Sequence, residues 1–169
     1  MIDASATRPS ANPPRWDTQP LPEIIHFVLS RYHEPHREEL PALIDAARRV
    51  EREHADKASC PRGLAAQLAE LDAELRQHMA KEEQVLFPAI LSGRGGPMVH
   101  MPIRVMMQEH EDHGASLQRL RDLTGGYVPP PEACATWLAL YAGLGKLEAE
   151  LMAHIRLENE VLFPRALNG

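Results

Sequence analysis

Two stretches of the chain share a pattern of residue types that bind cations: HMAKEEQVLFP, beginning at His78, and HIRLENEVLFP, beginning at His154. In each, a histidine is followed four residues later by a glutamate, Glu82 or Glu158, and the stretch closes on Val-Leu-Phe-Pro. Four residues of helix rise about 6 Å and overshoot a full turn by about 40°, so imidazole and carboxylate leave one face and reach one small target. A single pair of this kind is common on solvated helix faces. Its duplication is what points to chemistry.

Each copy is preceded by another histidine at nearly constant distance: His33 lies 78 − 33 = 45 residues before His78, and His110 lies 154 − 110 = 44 before His154. The chain therefore reads as two pseudo-equivalent halves. In an antiparallel hairpin, residues at one height are equidistant from the turn, so midpoints between successive candidates should fall on helix breaks. The midpoint of 33 and 78 is 55.5, just before Ser59-Cys60-Pro61; that of 78 and 110 is 94, inside SGRGGP; that of 110 and 154 is 132, beside Pro129 to Pro131. His33, His78, Glu82, His110, His154 and Glu158 are thus expected at one level across a bundle interior.

The elements that must position them follow from apolar periodicity. Residues 1–20 hold four prolines and little periodicity, and are expected to form an extended or disordered lead-in to a bundle of residues 21–169. Apolar residues at helical spacing mark a first arm from Leu21 to about Ala55, with Pro35 and Pro41 expected to bend or briefly break it. A second arm runs from about Pro61 to Leu91, with Val85 and Leu86 in its stripe, and a third from about Pro102 to Leu123. After TGGYVPPP a fourth covers about Glu132 to Leu167, its stripe including Leu138, Tyr141 and Leu144. Four such arms with short breaks predict an all-α, up-down-up-down four-helix bundle.

Four imidazoles and two carboxylates converging in a core are costly to bury without compensation. A metal supplies it. Zinc prefers four ligands, whereas two adjacent metals, each with two histidines and sharing two carboxylates, use all six. Mixed imidazole and carboxylate donors suit iron, with manganese as the alternative. Ferritin-type bundles rely mainly on Glu with Glu-x-x-His, so the histidine-rich pattern points away from iron storage.

Taken together, RYHEPHREELP around His33, HMAKEEQVLFP, MPIRVMMQEHEDHG around His110 and HIRLENEVLFP resemble the hemerythrin-like (HHE) proteins, and within them the repair of iron centres family. The resemblance spans about residues 21–167. It implies an oxo- or hydroxo-bridged pair of non-haem iron ions, with His33, His78, His110 and His154 as terminal ligands and Glu82 and Glu158 bridging. Two functions follow as expectations: a stress-response protein that supports repair of damaged iron-sulfur clusters by delivering iron or removing nitric oxide, or a protein that binds, senses or scavenges O2 or NO without repair. The partners implied are these diatomics and damaged iron-sulfur proteins. Full-length family members carry a small cysteine-containing N-terminal domain; here residues 1–20 stand in its place, and that domain is expected to be lacking.

Other residues receive plainer readings. His54 lies 54 − 33 = 21 residues beyond His33, about 31 Å of helix, and is read as structural or surface near the hairpin tip. His36, His100 and His113 are read as unmatched between the halves, and as exposed or lying behind the ligands. His26 is expected as a hydrogen-bonded core residue, and Met101, Met106 and Met107 as core filling. Glu109 could orient a histidine or line an access path, against the plainer reading of a solvated glutamate. Phe87 and Phe163 are expected to wall the site or adjacent core, with Pro88 and Pro164 loosening the final helical turns.

The formal charge of −6 and the lack of any Lys/Arg block argue against a nucleic-acid surface. Neither a signal segment nor a long apolar run is evident, so the expectation is a cytoplasmic protein with no membrane partner. Cys60 and Cys134, without a CxxC spacing, are read as reduced thiols.

Overall fold

Pro22 in the first turn and Glu23 near the helix N-terminus favour helix initiation at Leu21. In the computed structural model, which describes residues 15–93 and 97–168, four long helices follow. Helix α1 (residues 21–53) comprises Leu21–Val28, a π turn Leu29–His33 and Glu34–Glu53; α2 (residues 64–91) comprises Leu64–Lys81, a π turn Glu82–Leu86 and Phe87–Leu91. Helix α3 is Pro97–Leu123, and α4 (residues 135–168) comprises Ala135–Leu157, a π turn Glu158–Leu162 and Phe163–Asn168. No described residue is in a strand. Helix α1 packs against α2 and α4, and α2 packs against α3, as the expected bundle requires. Residues 1–14 of the expected lead-in lie outside the described residues.

The prolines do not break the helices. Pro35, Pro88 and Pro164 each follow a π turn directly, in which the N–H of Glu34, Phe87 or Phe163 donates to the carbonyl five residues back, at Leu29, Glu82 or Glu158. Proline lacks an N–H, and in an α-helix its ring clashes with the carbonyl four residues earlier; one widened turn takes it up without breaking the rod. Pro41 likewise sits inside α1 on an exposed face, so the first arm is continuous. Pro97 opens α3, which begins five residues before the expected Pro102.

Turns are glycine-dependent where φ must be positive. Gly63 (φ 90°) precedes α2. Between α3 and α4, Gly125, Gly126 and the non-glycine Tyr127 (φ 63°) all adopt positive φ. Tyr127 is held there by a hydroxyl that donates to Glu148 Oε2 at 2.6 Å and by a backbone N–H that donates to Thr124 Oγ1 at 3.1 Å.

The apolar interior divides into two clusters. One holds Leu40, Leu68, Leu75, Met79, Leu117, Trp137, Leu144, Leu151 and their neighbours; the other holds Ile24, Val28, Leu86, Phe87, Ile103, Met106, Leu162 and Phe163. On every helix the change from one cluster to the other falls at the candidate ligands: Tyr32 to Leu40, Met79 to Leu86, Met106 to Leu117, and Ile155 to Leu157. A buried polar layer therefore separates two greasy halves of the bundle.

Several expected core positions face outward. Val85 is 56% exposed because the π turn brings Leu86 and Phe87 inward instead. Leu138 is exposed beside the buried stripe of Trp137, Leu140, Tyr141 and Leu144. On α3 the inward face runs Val99, Ile103, Met106 and His110, which leaves Met101 and Met107 exposed and only Met106 in the core. His26 is exposed too, turned about 100° from its buried neighbour Ile25.

Candidate metal centre

The six candidates identified from spacing, His33, His78, Glu82, His110, His154 and Glu158, are all buried and meet in the polar layer. Their donor atoms form two groups, His33, Glu82, His154 and Glu158 in one and His78, Glu82, His110 and Glu158 in the other, with donor atoms in each group within 4.8 Å of one another. Both glutamates belong to both groups. The histidines pair as His33 with His154 and as His78 with His110, a division that spacing alone leaves open.

The individual distances show how closely the donors converge. Nε2 of His33 and Nε2 of His78 lie 3.3 and 3.4 Å from the same Glu82 oxygen, Oε2. His110 Nε2 lies 3.2 Å from Glu158 Oε2, and His154 Nε2 lies 3.2 Å from Glu158 Oε1. The Nε2 edge of each imidazole is thus turned to a carboxylate at 3.2–3.4 Å, while both oxygens of Glu82, both of Glu158, and Nε2 of His33 and His154 have no hydrogen-bond partner.

The opposite ring nitrogens fix the tautomers. His33 Nδ1 donates to Glu83 Oε1 at 2.7 Å, and Arg37 holds the same oxygen at 2.7 Å. His78 Nδ1 donates to Glu109 Oε2 at 2.9 Å, while Lys81 binds the other Glu109 oxygen. His110 Nδ1 donates to Asn159 Oδ1 at 2.8 Å. With the proton on Nδ1, each Nε2 presents a bare lone pair to the interior. Nε2 of His78 and Nε2 of His110 face each other at 3.1 Å. Lone pair against lone pair, and lone pair against carboxylate, is repulsive, and a cation between them relieves it; the donor set is one that could hold metal.

Ionisation points the same way. Burial, reinforced by the neighbouring His154, lowers His33 to about 4, and burial with the His110 imidazole lowers His78 to about 3 against the opposing charge of Glu158. Both are neutral at pH 7, the form that ligates a cation. Burial pushes Glu82 well above the ordinary carboxylate range, and the charge of Glu158 pushes it further. Two carboxylates in this position need a positive partner to ionise together.

Around the donors the two halves keep their correspondence. Phe87 stacks on His33 with ring centroids 5.9 Å apart, and Phe163 stacks on His110 at 5.8 Å, in line with the expected walls of the site. Pseudo-symmetry also corrects one sequence reading: His36 and His113 stand three residues after His33 and His110, match each other, and are both buried. His36 lies 5.7 Å from His154 and His113 lies 4.9 Å from His78, centroid to centroid, and neither belongs to a donor group. His100 is exposed. His54, as expected, ends α1 far from the polar layer.

Spacing missed Glu83 and Asn159, although a signal existed: each immediately follows a shared glutamate, and each supports the first histidine of its own half. Glu109 takes the orienting role rather than the solvated one. Beside it, Glu74, Gln77, Lys81, Glu109, Asp112 and His113 line a surface cleft of about 200 Å³. His113 forms its buried end.

Comparison with known proteins places this geometry. Residues 25–166 match the hemerythrin HHE cation binding domain. The whole chain is 48% identical to a protein of Musicola paradisiaca, covering 77% of that protein, and 49% identical to one of Yersinia pseudotuberculosis, covering 76%. Over 91% of its length it is 53% identical to a protein of Citrobacter koseri, covering 70% of it. All three relatives are named iron-sulfur cluster repair protein YtfE.

Proposed function

Because the chain belongs to the hemerythrin HHE family, we propose that it is a non-haem di-iron protein of the nitrosative and oxidative stress response that supports repair of damaged iron-sulfur clusters. The observation that carries this reading is the convergence of four inward-facing Nε2 atoms, three of them on rings whose Nδ1 already donates elsewhere, on two shared, buried carboxylates. In it, His33 and His154 hold one ion, His78 and His110 the other, and Glu82 and Glu158 belong to both. Imidazole and carboxylate donors suit iron, with manganese the second choice. When bound, an iron pair supplies open positions for nitric oxide or dioxygen and a local stock of iron for a damaged cluster.

The chain's own residues do the rest. Glu83 with Arg37, and Glu109 with Lys81, hold the His33 and His78 rings in the tautomer that ligates, and their negative charge raises the basicity of those rings. Phe87 and Phe163 cover two of the imidazoles, while the two apolar clusters exclude water from above and below the polar layer. The cleft of about 200 Å³ lies behind His78, through Glu109 and His113, and is the entry path for ions and diatomics in this reading. The targets in this reading are cytoplasmic iron-sulfur proteins; among the described residues no helix is long and apolar enough to cross a membrane.

The test is reactivation of a purified iron-sulfur enzyme whose cluster has been damaged by nitric oxide or peroxide. Recovery with the iron-loaded protein, and none with His78→Ala or Glu158→Ala, is the expected result. Reversible binding of O2 or NO with no recovery would replace repair by a gas-binding role.

A further inference from the structure

A second set of ligating side chains lies at the far end of the bundle from the polar layer. His54 ends α1 with φ −118° and ψ 23°, and Cys134 is the N-cap residue of α4. His54 Nε2 stands 3.2 Å from Cys134 Sγ, and a carboxylate oxygen of Glu53, a ring nitrogen of His54 and Cys134 Sγ lie within 4.8 Å of one another. Three donors of different type, from two helix ends 80 residues apart in sequence, thus share one spot. We propose that Glu53, His54 and Cys134 form a mononuclear site for a divalent cation of the zinc class, with the fourth position left to water.

The geometry is close to what such an ion needs. With metal–sulfur and metal–nitrogen bonds of about 2.3 and about 2.05 Å, a tetrahedral angle puts sulfur and nitrogen about 3.6 Å apart. The observed 3.2 Å is reached from there by a small side-chain rotation. The two main ligands are held in place by their surroundings: the His54 ring packs on the fully buried Trp137 at 4.9 Å, and Trp137 lies one turn after Cys134. Ser59, in the loop after His54, donates to Glu132 in the loop before Cys134, which ties the two loops together. Glu53 also pairs with Arg49 at 3.0 Å, but both side chains are exposed, and such pairs contribute little enough to yield to a cation.

Donor chemistry separates this site from the polar layer. A thiolate with one imidazole and one carboxylate prefers a borderline-soft ion such as Zn2+, whereas the other centre contains no sulfur. Access differs as well. His54 and Cys134 are half-buried and Glu53 is exposed, so an ion enters without opening the bundle. Without metal, the Cys134 sulfur lies against His54 Nε2; an ion bound there takes the sulfur as thiolate and the Nε2 lone pair, and the thiol proton leaves to solvent.

The experiment titrates the iron-loaded protein with Co2+ as a coloured stand-in for Zn2+. The expected result is one further equivalent per chain, with thiolate-to-cobalt charge-transfer absorption and tetrahedral d–d bands, abolished in Cys134→Ser and in His54→Ala and kept in Cys60→Ser. Absence of the extra equivalent, a charge-transfer band that survives His54→Ala, or one lost only in Cys60→Ser would overturn the proposal. Should either variant fold poorly, alkylation of the wild-type protein decides. Zn2+ is expected to slow iodoacetamide labelling of Cys134 at least tenfold, and unchanged labelling would overturn the site.

Discussion

Nε2 of His78 and Nε2 of His110 face each other at 3.1 Å although Nδ1 of each ring already donates elsewhere, to Glu109 and Asn159. Neither has a proton left to give the other. A cation between the two rings would relieve this contact between lone pairs, and His33, whose Nδ1 donates to Glu83, turns its Nε2 to Glu82 in the same tautomer.

If each glutamate belongs to two donor groups, removing one should empty both positions. Glu82→Ala or Glu158→Ala is expected to take bound metal from two ions per chain to none, measured by elemental analysis after gel filtration. One retained ion would show that the carboxylate served a single metal.

The supports behind the rings should matter less, and by degree. Glu83→Ala and Glu109→Ala each leave a ring nitrogen without its acceptor, and metal affinity is expected to fall by roughly 10- to 100-fold. Competition with a chelator reads the loss. Glu109→Gln, which keeps an acceptor, should recover most of it.

His36 and His113 stand beside ligands but outside both donor groups. His36→Leu and His113→Leu are therefore expected to keep two ions per chain in the same elemental assay. A drop to one in either would make that histidine a ligand.

Away from the centre, Glu148 receives the Tyr127 hydroxyl at 2.6 Å and Arg121 Nε at 3.2 Å. Burial opposes the Glu148 charge, but the hydrogen bonds from Arg121 and Tyr127 outweigh it and hold its pKa below the usual range. A depressed carboxylate stabilises the fold above its unfolded pKa of about 4.3 and loses that contribution as pH falls through the lower folded value. Thermal melts from pH 5 to 3 should therefore fall less steeply in Glu148→Gln than in the wild type. Tyr127→Phe should cost about 1 kcal/mol at neutral pH, since a half-buried hydrogen bond is lost at a strained residue.

Much of this architecture was legible because it repeats. A 45- and 44-residue spacing, three midpoints falling on breaks, and His-x-x-x-Glu twice place His33, His78, Glu82, His110, His154 and Glu158 at one level before any coordinate is known. Prolines misled, because a single-residue rule reads Pro35 as a break, whereas a π turn one residue earlier takes it up. That extra residue also turns Val85 out and Leu86 in, which a fixed period of 3.6 cannot foresee. His36 and His113 escaped for a different reason: the pattern followed was His-x-x-x-Glu, and their match lies in His-x-x-His on the other two helices. Glu83 looked like one more surface charge, since only the folded bundle brings it to His33 across 50 residues.

Stability should follow metal. Ligands buried between two apolar clusters repel one another when bare, so binding free energy is folding free energy. Removing metal with a chelator is expected to lower the melting temperature, and re-adding Fe2+ to restore it. A melting temperature indifferent to metal would mean that the polar layer is satisfied in some other way.

The most direct test of the account is the iron stoichiometry and magnetic coupling of protein purified without added metal. Two irons per chain, seen by Mössbauer spectroscopy as an antiferromagnetically coupled pair, is the predicted result. One iron per chain, or two that behave as isolated ions, would contradict a centre in which Glu82 and Glu158 are held in common.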